Sequence, residues 1–477
     1  MKEYNKNRYK VQKFGNVVNK DIDFEKINAK IYLFLLPFHM ISQFGFFIKI
    51  FGVCASYTAF IFHVLGLFFW FLSSKGKFNL GSEKNEILFK YATLLLLYLI
   101  LSSIVMACVI QLRFGNHGHE SAFRGVLGQI IYFIQYWLIF LYSIRIFQLF
   151  DIDEILSILL KVCNFLLILG YFQVLVINGI GKSLYEKLNI FDIFVDPTIR
   201  KLSLTETEGA SCGIVLGIFV FPILMAQILN GKLKYLFNLA LWVVPLYYSN
   251  SSTAYIVCFI DLIAFFLMVI INKKIPKAFK ICLGCGLGIV VILIVFILTG
   301  FIQGESVDKI KYLIINKIKD DTNASSVTRR IPYYINWGAF KEYPVFGVGN
   351  GLQGYFYKKY FPDWAYSAAN YEALIKLQQS ETEIFNGALF IPSLLSGYGV
   401  VGCLFVLLFI KEVFFFIKKL KEEIGVAYNM FLIAFIAFIV NGMQGEVSGV
   451  YLVWFMMSLP LINRREIKCK LDYPCQC

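Results

Sequence analysis

Gly349, Gly351 and Gly354 stand in the spacing G-x-G-x-x-G inside "EYPVFGVGNGLQGYFYKKY". A dinucleotide-binding turn is often spelled this way, but it needs a buried strand before it, a helix after it and a nucleotide within reach. Upstream, "SSVTRRIPYYINWGAFKEY" has helical spacing instead. Tyr333, Trp337 and Phe340 recur at i, i+4 and i+7, Thr328 can cap the helix, and Pro332 falls in its first turn. Pro344 then ends the helix, and Gly347, Gly349, Gly351 and Gly354 free the backbone for positive φ and close approach to a neighbour or ligand. A tight turn packed on the rest of the chain is the plainer use of the same glycines, and the dinucleotide site is set aside.

Three other groups could do chemistry. "RFGNHGHESAFRG" gathers His117, His119, Glu120 and Arg124 as a metal or glycan contact, although an H-x-H pair on a loop is not a ligand set. "CLGC" at Cys282 and Cys285 lies in an apolar run without a nearby histidine, so neither a metal nor a cofactor is expected. Asp261, in "AYIVCFIDLIAFF", is an acid within an apolar run, a functional candidate unless a helix–helix hydrogen bond accounts for it.

The elements that must hold these residues are membrane helices. Of 477 residues 58% are hydrophobic and 16% charged, and mean hydropathy is +0.68, which leaves no room for a soluble domain of ordinary size. The fold class expected is an all-α polytopic membrane protein with about twelve transmembrane helices, since apolar runs of about 20 residues span a bilayer as helices that satisfy their own backbone. Spans fall near 31–48, 52–72, 91–112, 128–149, 155–176, 209–229, 236–250, 253–271, 280–302, 386–410, 426–442 and 447–462. The division that follows is a cytoplasmic segment 1–30, a bundle 31–302 with an external loop 177–208, one large external (periplasmic) loop 303–385 between helices 9 and 10, a bundle 386–462 and a cytoplasmic tail 463–477. Lys and Arg crowd the N-terminus, "NKKIPKAFK", "KEVFFFIKKLKEE" and "NRREIKCK", all on one side if the spans alternate. The positive-inside rule makes that side cytoplasmic, so both termini are expected inside the cytoplasmic (inner) membrane. The net charge of +14 then reflects topology and contact with membrane lipids, and no nucleic acid is called for.

An arginine, a short helix with Trp337 and then P-x-x-G-x-G-x-G in a large loop resemble the O-antigen polymerase and O-antigen ligase superfamily of bacterial surface polysaccharide assembly. "SLLSGYGVVG", with Gly399 and Gly402, is similar to the family's G-x-x-G helix. "IRKLSLTETEGASCG", with Arg200 and Glu206, resembles its arginine and acidic stretch, and "SNSSTAYI" its Ser/Thr-rich helix start. The ligase histidine, about a dozen residues before the G-x-x-G helix, has no counterpart in "ETEIFNGALFIP", which favours polymerase over ligase.

The resemblance implies transfer of a growing glycan from undecaprenyl diphosphate to a sugar hydroxyl of an incoming lipid-linked unit at the outer membrane face. A departing diphosphate gathers negative charge, and guanidinium grips phosphate oxygens with paired hydrogen bonds. Arg200, Arg329 and Arg330, the arginines of the two long loops, are the expected clamps, with lipid headgroups or loop carboxylates as their other uses. Glu381 and Glu383 are the candidates to orient or deprotonate the acceptor, as are Glu206 and Glu208. Glu206, Trp337, Gly347, Gly349 and Gly351 are expected at the substrate, where loop aromatics stack on sugars or sit in the membrane interface. The partners implied are an undecaprenyl-diphosphate-linked oligosaccharide, a chain-length regulator and a flippase. Ligation to a lipid A core is the alternative within the family, and a polysaccharide flippase or transporter the alternative outside it, though no internal repeat supports transport.

Overall fold

The computed structural model describes residues 23–38, 57–76, 78–184, 202, 204–205, 209–273, 275–298, 304, 308, 311–312, 320–366, 389–445 and 451–462. Among them there is no strand; His117 and Glu120 form an isolated antiparallel bridge. The helices are α1 (Phe24–Leu35), α2 (Ala59–Ser73), α3 (Glu83–Phe114), α4 (Ala122–Leu149) and α5 (Ile152–Ile177). Next come α6 (Gly209–Ile214), a π-helical segment (Val215–Val220) and α7 (Phe221–Leu229), followed by α8 (Tyr235–Leu241), α9 (Val243–Ser249), α10 (Ser252–Ile271) and α11 (Lys277–Leu298). The loop region holds α12 (Ala324–Glu342), α13 (Tyr357–Tyr360) and α14 (Asp363–Tyr366), and α15 (Phe390–Glu423), α16 (Gly425–Gln444) and α17 (Tyr451–Met457) complete the order.

Seven helices among the described residues are long and apolar enough to cross a membrane. The chain is an all-α, multi-pass membrane protein; the count of about twelve remains an expectation. Some elements differ in shape from the apolar runs that suggested them. The run 236–250 is broken at Trp242 into α8 and α9, and α1 starts at Phe24 because Asp23 accepts a hydrogen bond from Lys26 N (3.2 Å) and caps it there.

The centre of the bundle is the span Cys212–Leu229, every residue of which is buried. Helices α10 and α16 pack on it and on each other, and α3 packs against α4 and α15. A second, smaller core lies over the loop end of the bundle. There Ala107, Ile110, Ala122 and Val126 of α3 and α4 meet Val327, Ile331, Ile335 and Ala339 of α12, together with Val348, Leu352 and Phe356. The α12 positions recur at four-residue intervals, so one stripe of that helix is fixed to the bundle. This stripe is opposite in kind to the aromatic one: Tyr333, Tyr334 and Trp337 are 38%, 47% and 55% exposed.

The start of α12 also corrects the cap expected at Thr328. Asn323 is the N-cap, its side chain accepting from Ser326 N at 3.3 Å, and Pro332 lies well inside the helix. Asn323, Ser325 and Ser326 precede the buried stripe, whereas Thr328 follows its first residue, Val327, and is too far into the helix to cap it. The proline lacks the N–H that would donate to Thr328 O, and its own carbonyl accepts from Asn336 Nδ2 at 2.8 Å.

Candidate functional site

The glycine segment is a structural splice. Helix α15 is kinked at Gly399 (φ 59, ψ −162), which breaks the two i→i−4 bonds that would join Val400 N to Ser396 O and Val401 N to Gly397 O. All four freed groups are paired by the loop after α12. Val348 N donates to Ser396 O (2.9 Å) and Gly349 N to Gly397 O (2.9 Å), while Val400 N donates to Pro344 O (2.8 Å) and Val401 N to Val345 O (3.0 Å). Two backbones meeting this closely leave no room for side chains. A Cβ on Gly347 (φ 72) would stand 2.2 Å from Gly397 C, and one on Gly399 would stand 2.5 Å from Val345 O. Gly351 (φ 88) lies against Gly125 O in the same way, at 2.6 Å. The G-x-G-x-x-G spacing thus serves a tight turn packed on the bundle, and Gly349 and Gly351 contact α15 and α4 there.

A buried amide cluster locks this splice from the side. Gln353, wholly buried, accepts from Gly351 N (3.0 Å) and lies within 3.2 Å of Asn350 Oδ1, Ser393 O and Ser396 Oγ as donor. Asn350 donates to Gln129 Oε1 of α4 (3.0 Å), and Ser396 Oγ donates to Asn336 Oδ1 of α12 (2.5 Å). Four elements therefore share one hydrogen-bonded hub. Sequence reasoning missed it; the signal was there in uncharged amides, such as Gln129, set within otherwise apolar runs.

The arginines part company. Arg329 Nη1 donates to Thr253 Oγ1 at 2.8 Å, joining the loop to the first turn of α10. That turn is the Ser/Thr-rich start: Ser251 caps it by accepting from Ala254 N (3.3 Å), and Ser251, Ser252 and Thr253 are all buried. Asn250, just before it, is left-handed (φ 51), and its buried Oδ1 has no hydrogen-bond partner among the described residues. A guanidinium beside the positive end of a helix macrodipole makes a corner suited to an anion. Arg330 turns the other way, to Asp321 (2.5 Å) and over Trp364 (3.9 Å from the ring centroid). It thus takes the loop-carboxylate use open to it in the sequence. Trp337 stands outward on α12, stacked on Phe340 at 5.5 Å.

Arg200, Glu206, Glu208, Glu381 and Glu383 lie outside the described residues. Leu202 N donates to Tyr248 O (2.9 Å), and Leu204 exchanges two hydrogen bonds with Gln173. On the loop from α3 to α4, Glu120 pairs with Arg124 (2.7 Å) and no group of metal-ligating residues forms among the described ones. The carboxylate that sequence reasoning overlooked is Glu342, at the end of α12. It accepts from Lys359 Nζ (2.6 Å) and Tyr360 Oη (2.8 Å) and lies 3.9 Å from Arg113. Burial pushes its carboxyl up, but those donors and charges outweigh burial and hold it below its usual range.

The segment that contains both Thr253 and Arg329 matches a known family. Residues 236–374 match the family described as O-antigen ligase. The match covers less than half of the chain, from α8 to just beyond α14, and it supports the resemblance to the O-antigen ligase and polymerase superfamily. No curated protein matches the chain. A family of this kind indicates glycan transfer of the ligase or polymerase type. The matched residues hold Arg329, Arg330, Trp337 and the splice glycines Gly347, Gly349 and Gly351, whereas Arg200, Glu206, Glu381, Glu383 and the kink at Gly399 fall outside them.

Proposed function

We propose that the protein polymerises lipid-linked oligosaccharide repeat units at the outer face of the cytoplasmic membrane. The glycan leaves undecaprenyl diphosphate and joins a sugar hydroxyl of the incoming lipid-linked unit. In that step the acceptor oxygen forms a bond to the anomeric carbon, the bond from that carbon to the diphosphate oxygen breaks, and the electron pair departs with the diphosphate. The acceptor proton goes to a carboxylate, for which Glu381 and Glu383 are the candidates. The observation that carries the proposal is Arg329 against Thr253 at the start of α10, within the family-matched segment. Fixed positive charge beside a buried helix start stabilises a leaving diphosphate more in the transition state than in the ground state. Arg330, held by Asp321 and Trp364, acts at longer range, and Arg200 is a further clamp.

The test is Arg329→Ala beside Arg329→Lys. Both variants are expected to stay in the membrane, the first making no polymer and the second little, since a point charge does not reproduce the planar fork. Normal chain lengths in Arg329→Ala would sink the proposal. Ligation is the second reading, favoured by the description of the matched family. A deletion strain separates the two, because a lost polymerase leaves single repeat units on the surface and a lost ligase leaves long chains on the carrier lipid.

A further inference from the structure

The outward face of α12 carries aromatic rings that are held in place and exposed at once. Trp337 stacks on Phe340 with the ring planes 26° apart. Trp364 of α14, partly buried against the loop core, meets the Arg330 guanidinium, 3.9 Å from its centroid, and the edge-on ring of Tyr334, 6.1 Å away. Trp337 and Tyr334 remain among the most exposed aromatic residues of the described chain, and Asp321 and Arg330 form an ion pair beside them with side chains 49% and 30% exposed. The opposite face of the helix is spent on the loop core, so this face is available to something outside the protein.

We infer that Tyr334, Trp337 and the Arg330–Asp321 pair, backed by Trp364, form a binding platform for the oligosaccharide, in line with the Arg329 corner. The inference rests on the glycan-transfer reading. Its chemistry is that of a ligand with apolar C–H faces and many hydroxyls: rings stack on the first, and the ion pair's spare donors and acceptors bind the second. A hydrocarbon partner would strip water from Arg330 and Asp321 and return no hydrogen bond. The platform also begins at the neighbour of Arg329 on the same helix. Trp337 lies eight residues further on, about 12 Å along the axis, a length that a short run of sugars covers. Sugars nearest the diphosphate would lie by Arg329 and those further along the chain by Trp337.

The probe is a set of free oligosaccharides released by mild acid from the cell's own lipid-linked repeat units, which carry neither lipid nor phosphate. Their binding to the full-length protein in phospholipid nanodiscs is measured for Trp337→Ala, Trp337→Leu, Trp337→Phe and Tyr334→Ala, each checked for an unchanged melting temperature. Loss of a stacking ring is expected to weaken binding about five- to tenfold. Trp337→Leu should fall as far as Trp337→Ala, and Trp337→Phe should stay within about twofold of the parent. If Trp337→Leu binds like the parent, the ring serves the membrane interface through its apolarity and the platform is overturned. Unchanged binding in both Trp337→Ala and Tyr334→Ala overturns it as well. Should one variant fail to fold, the other decides. Arg329→Ala keeps the two ideas apart: normal polymer in that variant with ring-dependent oligosaccharide binding would reject the polymerase reading and keep the platform.

Discussion

Two departures from the regular α pattern among the described residues have opposite outcomes. At the kink of α15 every backbone group released at Gly399 finds a partner in the loop after α12, and the side chains around it close into the Gln353 hub. At the π-helical turn Val215–Val220, in the buried centre, the polar groups nearby stay open. Asp261 of α10 is wholly buried against this turn, where a Cβ on Gly217 would come within 3.3 Å of Asp261 Oδ2. Neither carboxyl oxygen has a hydrogen-bond partner among the described residues, and neither polar side-chain atom of Gln227 on α7 has one either. The helix–helix hydrogen bond that would make Asp261 ordinary is absent from those residues. A closed irregularity is what a fold keeps for stability; an open one is costly and is kept for something else.

The largest effect should come from wedging the closed site apart. Gly347→Ala places a methyl group inside α15 backbone at a positive φ, and Gly399→Ala does the same from the other side. Each is expected to cost about 3 kcal/mol or more, seen as loss of folded protein in detergent and a sharply lower melting temperature. A Gly347→Ala protein that melts like the parent would mean the loop is not seated in the kink, and the comparison would lose one of its sides.

The open site should respond in the other direction. Asp261→Leu removes two unpaired buried oxygens, so the protein is expected to gain about 1–3 kcal/mol of stability, while polymer production falls. Asp261→Asn keeps unpaired polar atoms and should gain little. Lower melting temperatures in both variants would show that the carboxyl has a partner and that this site is as closed as the splice.

The sequence made the class of fold legible because composition alone forces membrane helices, and it made the helix stop at Pro344 legible because α12 ends at Glu342, just before it. It left the orientation of α12 open. Val327, Ile331, Ile335 and Ala339 repeat with a helical period, but so do Tyr333, Trp337 and Phe340, and only the bundle end beneath decides which stripe is buried. The splice has no local trace beyond its glycines, since it is made of backbone groups about fifty residues apart in sequence. The corner of Arg329 and Thr253 joins positions separated by 76 residues; each half was visible as a motif, and their contact was not.

The smallest effect lies at the rim of the closed site, where Glu342 ends α12 just before the spliced loop. Its carboxyl sits below the ordinary 4.5 because Lys359, Tyr360 and Arg113 together outweigh the effect of burial. A depressed carboxyl stabilises the fold above its unfolded value, and that stability drains away as pH falls through the lower folded value. The parent should therefore lose about 1 kcal/mol or less between pH 5 and strongly acid conditions, and Glu342→Gln should lack that part of the pH dependence. High salt should shrink the difference at neutral pH, since Lys359 and Arg113 are more than half exposed. Identical acid unfolding curves for the two proteins would place Glu342 outside the closed site. The splice would then be held by neutral hydrogen bonds alone, and its contrast with the carboxylic acid in the bundle would be sharper.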